Sequence, residues 1–280
     1  DLRSEIQLLY IDSNGVPVVA AMQKNAFQYP YVNMAGQWPE EYEKLGSNIF
    51  RASSMNKYPP RIAGDGTTYW WTSDPVNNPN KGWQYQQGNR RIRSLPDPQY
   101  DYPVLVSGGA MFFDETSLFN GKLDRFDWKL LGKKEMIIPY SNYRYVNEAT
   151  PEMVAAAGRH PNPDLVRWEL HRVNVVEGTL KAGLRHAYSK SRFYIDEDST
   201  ASGMSDAWDH AGKIFKGYWS TAFWAYDYQT QVTFAGFNYD LSTGISYTPC
   251  LLAQTKGIYY NTTVADSEVT PEAMLRATAR

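Results

Sequence analysis

The chain has 280 residues, of which 42% are apolar and 15% aromatic, so it has ample material for a packed interior and should be globular. Lysine plus arginine (28) nearly balances aspartate plus glutamate (30), which disfavours a protein whose overall charge steers it to nucleic acid or to an anionic membrane. Cys250 is the only cysteine, which excludes an internal disulfide framework and a cysteine-based zinc site. No apolar run approaches the roughly 20 residues of a membrane-spanning helix, so no transmembrane span is predicted and a soluble chain is expected.

The first residues, Leu2–Ile11, resemble the middle of a strand rather than a natural start, and no signal segment precedes them. We therefore expect the chain to be the C-terminal part of a longer precursor. Turn signals recur at short intervals after this strand, and the runs between them are rich in β-branched and aromatic residues, a pattern typical of an antiparallel meander.

Twelve strands are predicted, and with so few helices they favour a highly curved antiparallel sheet, a sandwich or an open barrel. The predicted strands are Glu5–Ile11, Val18–Asn25, Thr67–Thr72, Gly82–Gln86, Arg90–Leu95, Lys134–Tyr140, Leu165–Leu180, Arg185–Ile195, Ala201–Trp208, Lys213–Trp224, Gln231–Leu241 and Ile245–Leu251.

Helical signals are short. Helices are predicted at Pro39–Leu45, at Thr150–Gly158 with Thr150 as N-cap, and after Thr270 near the C-terminus. Residues 96–133 have no clean period and form a long loop excursion, a kind of segment that is often functional. With no repeat and no low-complexity linker, a single β-rich domain over residues 1–280 is the simplest partition.

The sequence contains no catalytic motif: nucleotide-binding glycine loops and the serine hydrolase signature are both absent. We therefore predict no enzyme activity, no catalytic residue, no cofactor and no metal. The four histidines have no paired spacing and are expected to be hydrogen-bonded residues of the sheet or loops. They are His160, His171, His186 and His210.

Carboxylates cluster at Asp124 and Asp127 and again at 196–198. The first pair, in a chain rich in tryptophan and tyrosine, leaves open a carbohydrate-active or carbohydrate-binding protein, because a glycosidase needs two facing carboxyl groups. The Asp-Glu-Asp stretch at 196–198 lies between two strands, where a structural turn is the favoured interpretation.

Two segments that consist mainly of predicted strand, Lys213–Tyr226 and Gln231–Leu241, carry large apolar groups on both faces. In Lys213–Tyr226 one parity contains Phe215, Trp219 and Phe223, and the other contains further aromatic side chains. Such a strand can line a cavity on one face or be buried as plain core on both, and plain core is favoured.

A basic hairpin spans residues 83–96, WQYQQGNRRIRSLP. Alternation places Trp83 and Tyr85 on one face of a strand, and Arg91 and Arg93 together on the next strand, with Arg90 pointing the other way. Because the basic and aromatic side chains do not form one surface, nucleic-acid binding is not predicted.

This hairpin, with residues 119–145 (FNGKLDRFDWKLLGKKEMIIPYSNYRY) and 160–199, resembles the bacterial domain-of-unknown-function 1329 (DUF1329) family, whose members are often called outer-membrane lipoprotein-sorting proteins. The resemblance runs from about Glu5 to the C-terminus. It implies a fold similar to the lipoprotein carriers LolA and LolB, an incomplete antiparallel barrel around an apolar cavity. It also implies an exported protein of the periplasm, or of the periplasmic face of the outer membrane, in a Gram-negative cell.

The function that the resemblance implies is carriage of a lipid or other hydrophobic ligand, in service of a transporter of the resistance-nodulation-division class. A structural or adaptor subunit of an envelope complex is the alternative. Candidates for lining the cavity are Trp83, Tyr85, Trp168, Leu170, Phe215, Trp219, Phe223 and Phe234. A polar network is expected in which at least one arginine pairs with a carboxylate, since a partly buried guanidinium needs a partner. Its members are Arg90, Arg91, Arg93, Asp124, Asp127 and Glu135.

Overall fold

The computed structural model describes residues 1–30, 48–75, 77–95, 100–199, 202–232 and 236–278. In these residues the chain is mainly β, with a large antiparallel sheet that is not closed, a second sheet of two strands and a few short helices, which confirms the predicted fold class. The strands are β1 (Leu2–Ile11), β2 (Pro17–Gln28), β3 (Asn48–Tyr58), β4 (Gly66–Thr72), β5 (Lys81–Gln86), β6 (Arg91–Ser94), β7 (Phe126–Pro139), β8 (Trp168–Leu180), β9 (Lys190–Asp196), β10 (Gly203–Trp208), β11 (Ile214–Ser220), β12 (Phe223–Ala225), β13 (Thr230–Val232), β14 (Gly236–Asp240), β15 (Ile245–Leu251) and β16 (Gly257–Tyr260). The helices are α1 (Tyr143–Glu148), α2 (Pro151–Val154) and α3 (Pro271–Thr278).

The chain forms two compact units, the first from residues 1–6, 21–98 and 255–280 and the second from residues 7–20 and 99–254. Strands β1 and β2 contribute residues to both. Each unit combines segments that are distant in sequence, so the single domain over residues 1–280 stays a prediction. Within the described ranges, no helix has both the length and the apolar composition that crossing a membrane requires.

In the first unit the strand order is β6-β5-β4-β3-β2-β1, and β16 pairs with the start of β1. Helix α3 packs on β4 and β5 and buries Met274 completely. The indole nitrogen of Trp70 donates a hydrogen bond to the Val269 carbonyl at 2.6 Å, just before this helix. The C-terminal segment is thereby fixed to the sheet by both apolar and polar contacts.

In the second unit the strand order is β1-β15-β14-β11-β10-β9-β8-β7. Both faces of this sheet carry apolar clusters. On one face Phe193 and Tyr218 pack with Leu118 of the loop excursion, and on the other Val173 and Val175 pack with Ile138. In β11 the expected alternation is observed, because Tyr218 packs on the first of these faces and Trp219, the next residue, lies on the other.

The loop excursion is shorter than predicted, because β7 begins at Phe126 instead of Lys134. A β-bulge between Leu130 and Gly132 explains the error. The bulge adds one residue to β7, so the residues before and after it have opposite parity and no single alternation covers the strand. Gly132 adopts a φ of 107°, where a side chain would be strained. Of the predicted excursion, residues 96–99 lie outside the described residues.

Other strand boundaries also differ. The strand predicted over Lys213–Trp224 is divided into β11 and β12, because the chain turns at Ser220, whose hydroxyl accepts a hydrogen bond from the Ala222 N–H at 3.2 Å. Strands β3 and β16 were not predicted. The sequence of β3 is rich in serine and asparagine, and its strand conformation is stabilised by pairing with β2 and β4 on its two sides.

Two of the predicted helices are confirmed. The Thr150 hydroxyl accepts a hydrogen bond from the Met153 N–H at the start of α2, which continues as a 3-10 turn, and α3 begins at Pro271. The helix predicted at Pro39–Leu45 lies outside the described residues. Helix α1 was not predicted, because its six residues are too few to show a helical period.

Candidate functional site

A run of aromatic side chains, each in contact with the next, extends from the start of β8 through β11 to β14 in the second unit. Trp219 of β11 is directly paired with Phe237 of β14, and Tyr239 lies two residues further along the same face. The Trp219 ring centroid lies 5.8 Å from that of Phe237 and 5.1 Å from that of Tyr239. Trp168, at the start of β8, places its ring edge-on to Trp219 at 4.9 Å.

The aromatic run extends from solvent into the interior. Trp168 is 36% exposed, Trp219 is half-buried and Phe237 is fully buried. At the buried end, Tyr145 of α1 packs edge-on against Phe237 with centroids 4.5 Å apart. The contacting rings therefore form a continuous aromatic series from an exposed residue to fully buried ones.

Helix α1 is fixed over this face by hydrogen bonds at both of its ends. The Asn142 N–H donates to the Ala222 carbonyl at 3.3 Å, and the Tyr143 hydroxyl donates to the Trp224 carbonyl. At the other end the Val146 carbonyl accepts from the Leu252 N–H at 2.8 Å. These bonds position Tyr145 over β14 and β15.

Four hydroxyl groups converge at the buried end of the run. Tyr239 is paired directly with Ser246 of β15, and Thr248 follows two residues later on the same face. Tyr145 approaches from α1. The hydroxyl oxygens of all four side chains are buried, and none makes a hydrogen bond with any group in the described part of the chain. We call these four residues the hydroxyl cluster.

The surroundings of the hydroxyl cluster are uncharged. Burial raises the pKa of Tyr145 well above its usual value; the Thr248 hydroxyl offsets part of that rise, although its geometry is not that of a hydrogen bond. Burial likewise raises the pKa of Tyr239 and of Cys250, which lies two residues after Thr248 on β15. Among the described residues no ionised side chain contributes to any of these shifts, so the cluster is a neutral polar site.

A separate buried polar group anchors the loop excursion to the opposite face of the sheet. The Lys216 ammonium of β11, almost fully buried, donates to the Ala110 carbonyl at 2.7 Å and lies 3.4 Å from Glu115 Oε2. Glu115 also accepts hydrogen bonds from the Phe112 N–H at 2.6 Å and from the Tyr188 hydroxyl. Burial raises the pKa of Glu115 to about 7, partly opposed by Lys216.

Next to this anchor, His186 Nε2 lies 2.7 Å from Asp114 Oδ2, and both side chains are buried. The His186 carbonyl in turn lies 2.8 Å from His210 Nε2. The two histidines are therefore hydrogen-bonded loop residues, as expected. Together these contacts hold the excursion by charged and hydrogen-bonded groups as well as by apolar packing.

His171, Asp196 and Asp198 place potential metal-ligand atoms within 4.8 Å of one another. The geometry fits a turn anchor better than a metal centre. Asp196 is buried, and its two oxygens are used by His171 Nδ1 at 3.0 Å and by the Ser199 N–H at 2.8 Å. His171 also stacks on Tyr140 at 4.0 Å.

The predicted cavity-lining residues that the structure describes in the second unit do not form one group. Trp168 and Trp219 are brought together in the aromatic run, whereas Leu170 is 68% exposed and Phe223 packs against Tyr143 at 5.2 Å. Phe215 instead contacts Tyr188 at 5.7 Å.

The other predicted residues lie elsewhere in the chain. Trp83 and Tyr85 belong to the first unit, where Trp83 meets Trp70 with ring centroids 5.0 Å apart. Phe234 lies outside the described residues.

The predicted arginine network does not form in the part of the chain that is described. Arg90, Arg91 and Arg93 are exposed, and none has a described carboxylate within ion-pair distance. In the hairpin Arg91 is paired with Gln86, on the face opposite Trp83, where water solvates the guanidinium and no partner is needed.

The three carboxylates proposed for that network belong to the second unit. Asp124 accepts a hydrogen bond from the Tyr100 hydroxyl at 2.8 Å, while Asp127 and Glu135 are exposed on β7.

Sequence reasoning missed the hydroxyl cluster. Its one local signal is the parity of β15, where Ser246, Thr248 and Cys250 alternate with larger residues. Small polar residues on one face of a strand are compatible with an exposed face, so this signal alone did not indicate a buried site. The convergence with Tyr239 and Tyr145 depends on strand register and helix docking.

Comparisons with known proteins place the chain in a family. Residues 1–275 match the family described as "Protein of unknown function (DUF1329)". An uncharacterized protein of Pseudomonas aeruginosa is 36% identical over 217 residues, which cover 77% of this chain and 48% of that protein. The chain thus spans about half the length of that relative.

The fold is similar to that of two crystal structures. A domain from Vibrio parahaemolyticus, named for outer membrane lipoprotein sorting, has a TM-score of 0.62 at 9% identity, with 98% of this chain and 90% of that chain covered. A DUF1329 family protein from Desulfovibrio piger has a TM-score of 0.61 at 11% identity, with the same coverage. At these identities the likeness establishes the fold alone. The family match over residues 1–275, nearly the whole sequence, shows that this chain belongs to the DUF1329 family.

Proposed function

We propose that this protein binds and carries a lipid or another hydrophobic molecule in the periplasm or at the periplasmic face of the outer membrane. The observation that carries the proposal is the aromatic run from exposed Trp168 through Trp219 to buried Phe237. The fold shared with a domain named for lipoprotein sorting supports it. A carrier also needs a recipient, and a transporter of the resistance-nodulation-division class is the recipient we propose.

The energetics favour an acyl chain as the hydrophobic part. Burial stabilises by roughly 0.8 kcal/mol per CH₂ group, so a chain of about 14 carbons gains about 10 kcal/mol before the cost of ordering it. That free energy is comparable to the free energy with which a bilayer holds the same acyl chain. Transfer of the chain between the bilayer and the protein is then nearly balanced, which suits a carrier that must also release its ligand.

Two measurements test the proposal. Organic extraction of the purified protein followed by mass spectrometry is expected to yield a reproducible hydrophobic molecule. The extracted protein should then bind the fluorescent probe N-phenylnaphthylamine, and Trp168→Ala should weaken that binding by about tenfold because it removes the entry ring. The control is Trp208→Ala, whose ring lies over Lys190 at 4.3 Å. An empty extract together with no probe binding by the wild-type protein would exclude a carrier.

A specific observation also favours the second candidate, an adaptor subunit. Leu170 of β8 is paired directly with Ile137 of the edge strand β7, and the two side chains are 68% and 61% exposed. Exposed apolar pairs of this kind are found at protein interfaces.

Light scattering coupled to size exclusion tests the adaptor. If the protein is an adaptor, the wild-type chain in native extract elutes as an assembly that Leu170→Ser converts to a monomer. Leu241→Ser, at a site 59% exposed in the turn between β14 and β15, should leave the assembly intact. A wild-type monomer in native extract contradicts the adaptor.

A further inference from the structure

The hydroxyl cluster has hydrogen-bonding capacity that the described chain does not use. Tyr145, Ser246 and Thr248 are at most 2% exposed, and the Tyr239 hydroxyl is buried as well. Each hydroxyl can donate one hydrogen bond and accept two. Buried polar groups in native proteins are nearly always satisfied, so several orphaned hydroxyls on one face indicate a hydrogen-bonding guest.

The position of the cluster indicates what kind of guest it receives. It lies at the buried end of the aromatic run, where Phe237 contacts both Trp219 and Tyr145. A molecule with an apolar part along Trp168 and Trp219 would place its other end among the hydroxyls. The site therefore combines an apolar path and a polar terminus, which matches an amphipathic molecule.

The charges around the site exclude a charged terminus. The Lys216 ammonium is held by Ala110 and Glu115 on the opposite face of the sheet. Asp240, the residue after Tyr239, also points to that face and accepts hydrogen bonds from the backbone of the turn that follows it. A phosphate, carboxylate or ammonium buried here would have no counter-charge in the described chain, and an unpaired buried ion is strongly unfavourable.

We propose that the hydroxyl cluster binds the uncharged polar group, an ester, amide or hydroxyl, of a long-chain amphipathic ligand. The proposal rests on the proposed function and specifies its ligand class. Tyr145, Tyr239 and Thr248 donate to a carbonyl or hydroxyl oxygen of the ligand, while Ser246 donates or accepts. The aromatic run holds the hydrocarbon chain.

The test compares three probes with the same wild-type protein after extraction of bound molecules. The probes are monoolein, which has a neutral ester and hydroxyl head, oleate, which is anionic at pH 8, and hexadecane, which has no polar group. Affinities are measured by quenching of tryptophan fluorescence. We expect monoolein to bind at least about tenfold more tightly than either of the others, as two or more net hydrogen bonds provide.

Single-residue variants test whether the hydroxyl cluster causes the preference for monoolein. Thr248→Val and Tyr239→Phe each remove one hydroxyl and little volume, and each should weaken monoolein binding by about five- to tenfold while leaving hexadecane binding unchanged. Tyr247→Phe is the matched control, since Tyr247 is a buried tyrosine between Ser246 and Thr248 whose side chain lies on the opposite face.

The outcomes separate the two proposals. Three results would overturn the proposal that the hydroxyl cluster binds an uncharged polar group, while leaving the proposed carrier function intact. They are equal affinity for monoolein and hexadecane, tighter binding of oleate, and variants that bind monoolein like the wild type. The last result would mean that internal water satisfies the hydroxyls. If none of the three probes binds, the carrier itself fails and the assignment fails with it.

Discussion

Two buried tyrosines on paired strands differ in what their hydroxyls contact. Tyr218 of β11 lies opposite Asn238 of β14, and its hydroxyl is not orphaned: Ser220 and the Leu118 backbone lie close enough to offset part of the rise that burial causes in its pKa. Tyr239, the next residue of β14, points to the other face and has an orphaned hydroxyl. The hydroxyl of Tyr218 is therefore expected to stabilise the folded protein, whereas the unsatisfied hydroxyl of Tyr239 is expected to destabilise it.

This difference predicts opposite effects of deleting the hydroxyl. In protein from which bound molecules have been extracted, Tyr239→Phe should leave the free energy of unfolding unchanged or raise it by about 1 kcal/mol, because a buried unsatisfied group is removed. Tyr218→Phe should lower it by about 1 kcal/mol, because a satisfied hydrogen bond is lost. Urea denaturation measures both values. Similar losses in the two variants would mean that Tyr239 has a hydrogen-bonding partner within the folded protein.

At the residue scale the sequence predicted part of the candidate site. Trp168 and Trp219 were both candidates for lining a cavity, Trp219 from the parity of its strand, and the structure brings their rings to 4.9 Å. Leu170 has the same parity as Trp168, and the strand register puts that parity on the face opposite Trp219, where Leu170 is 68% exposed. Trp168 contacts Trp219 from the first residue of β8.

At the scale of elements, the loop excursion is a docked segment. Its 3-10 turn at Phe113–Glu115 places Glu115 against Lys216 of β11, with Tyr188 as hydrogen-bond donor and Asp114 beside it. Burial is the main reason that the pKa of Glu115 rises to about 7. Protonation of this one side chain is therefore linked to docking of the whole segment.

Stability should accordingly depend on pH. A glutamate whose folded pKa lies above its unfolded value binds its proton more tightly in the folded state, so its stabilising contribution is complete below about pH 4.5 and is lost as the pH rises to about 7. The change is of the order of 3 kcal/mol. Urea denaturation from pH 4 to pH 8 measures it.

Glu115→Gln should flatten that part of the profile, because glutamine does not titrate. The control is Glu148→Gln, at an exposed position of α1, which should keep the wild-type profile. If the profile of Glu115→Gln superimposes on that of the wild type, another group is responsible for the pH dependence.

Element boundaries were predictable where local chemistry decides them. The Thr-Pro-Glu-Met sequence at 150–153 begins a helix because a threonine cap and a proline at the first helical position act locally. The bulge at Leu130–Gly132 and helix α1 were missed for the opposite reason. The bulge is defined relative to β8, and α1 is held by residues about 80 and 110 positions away in the chain.

At the scale of the whole molecule, turn spacing and strand alternation predicted a mainly β, antiparallel fold but left a curved sheet, a sandwich and an open barrel as alternatives; the resemblance to the family implied the open form. The resemblance to the DUF1329 family, stated from the hairpin at 83–96 and the segments after it, is confirmed by the family match over residues 1–275. The two compact units were not anticipated, because they are built from interleaved segments and β1 and β2 run through both.

The sequence by itself determined the strand-rich class, the apolar groups on both faces of β11 and β14, and the separation of Arg91 and Arg93 from Trp83. Each follows from alternation within a few residues. Only the tertiary structure decided that Tyr145, Tyr239, Ser246 and Thr248 meet in one buried, uncharged place. That meeting depends on the register of β14 with β15 and on the docking of α1, which are set by packing between residues up to about 100 positions apart.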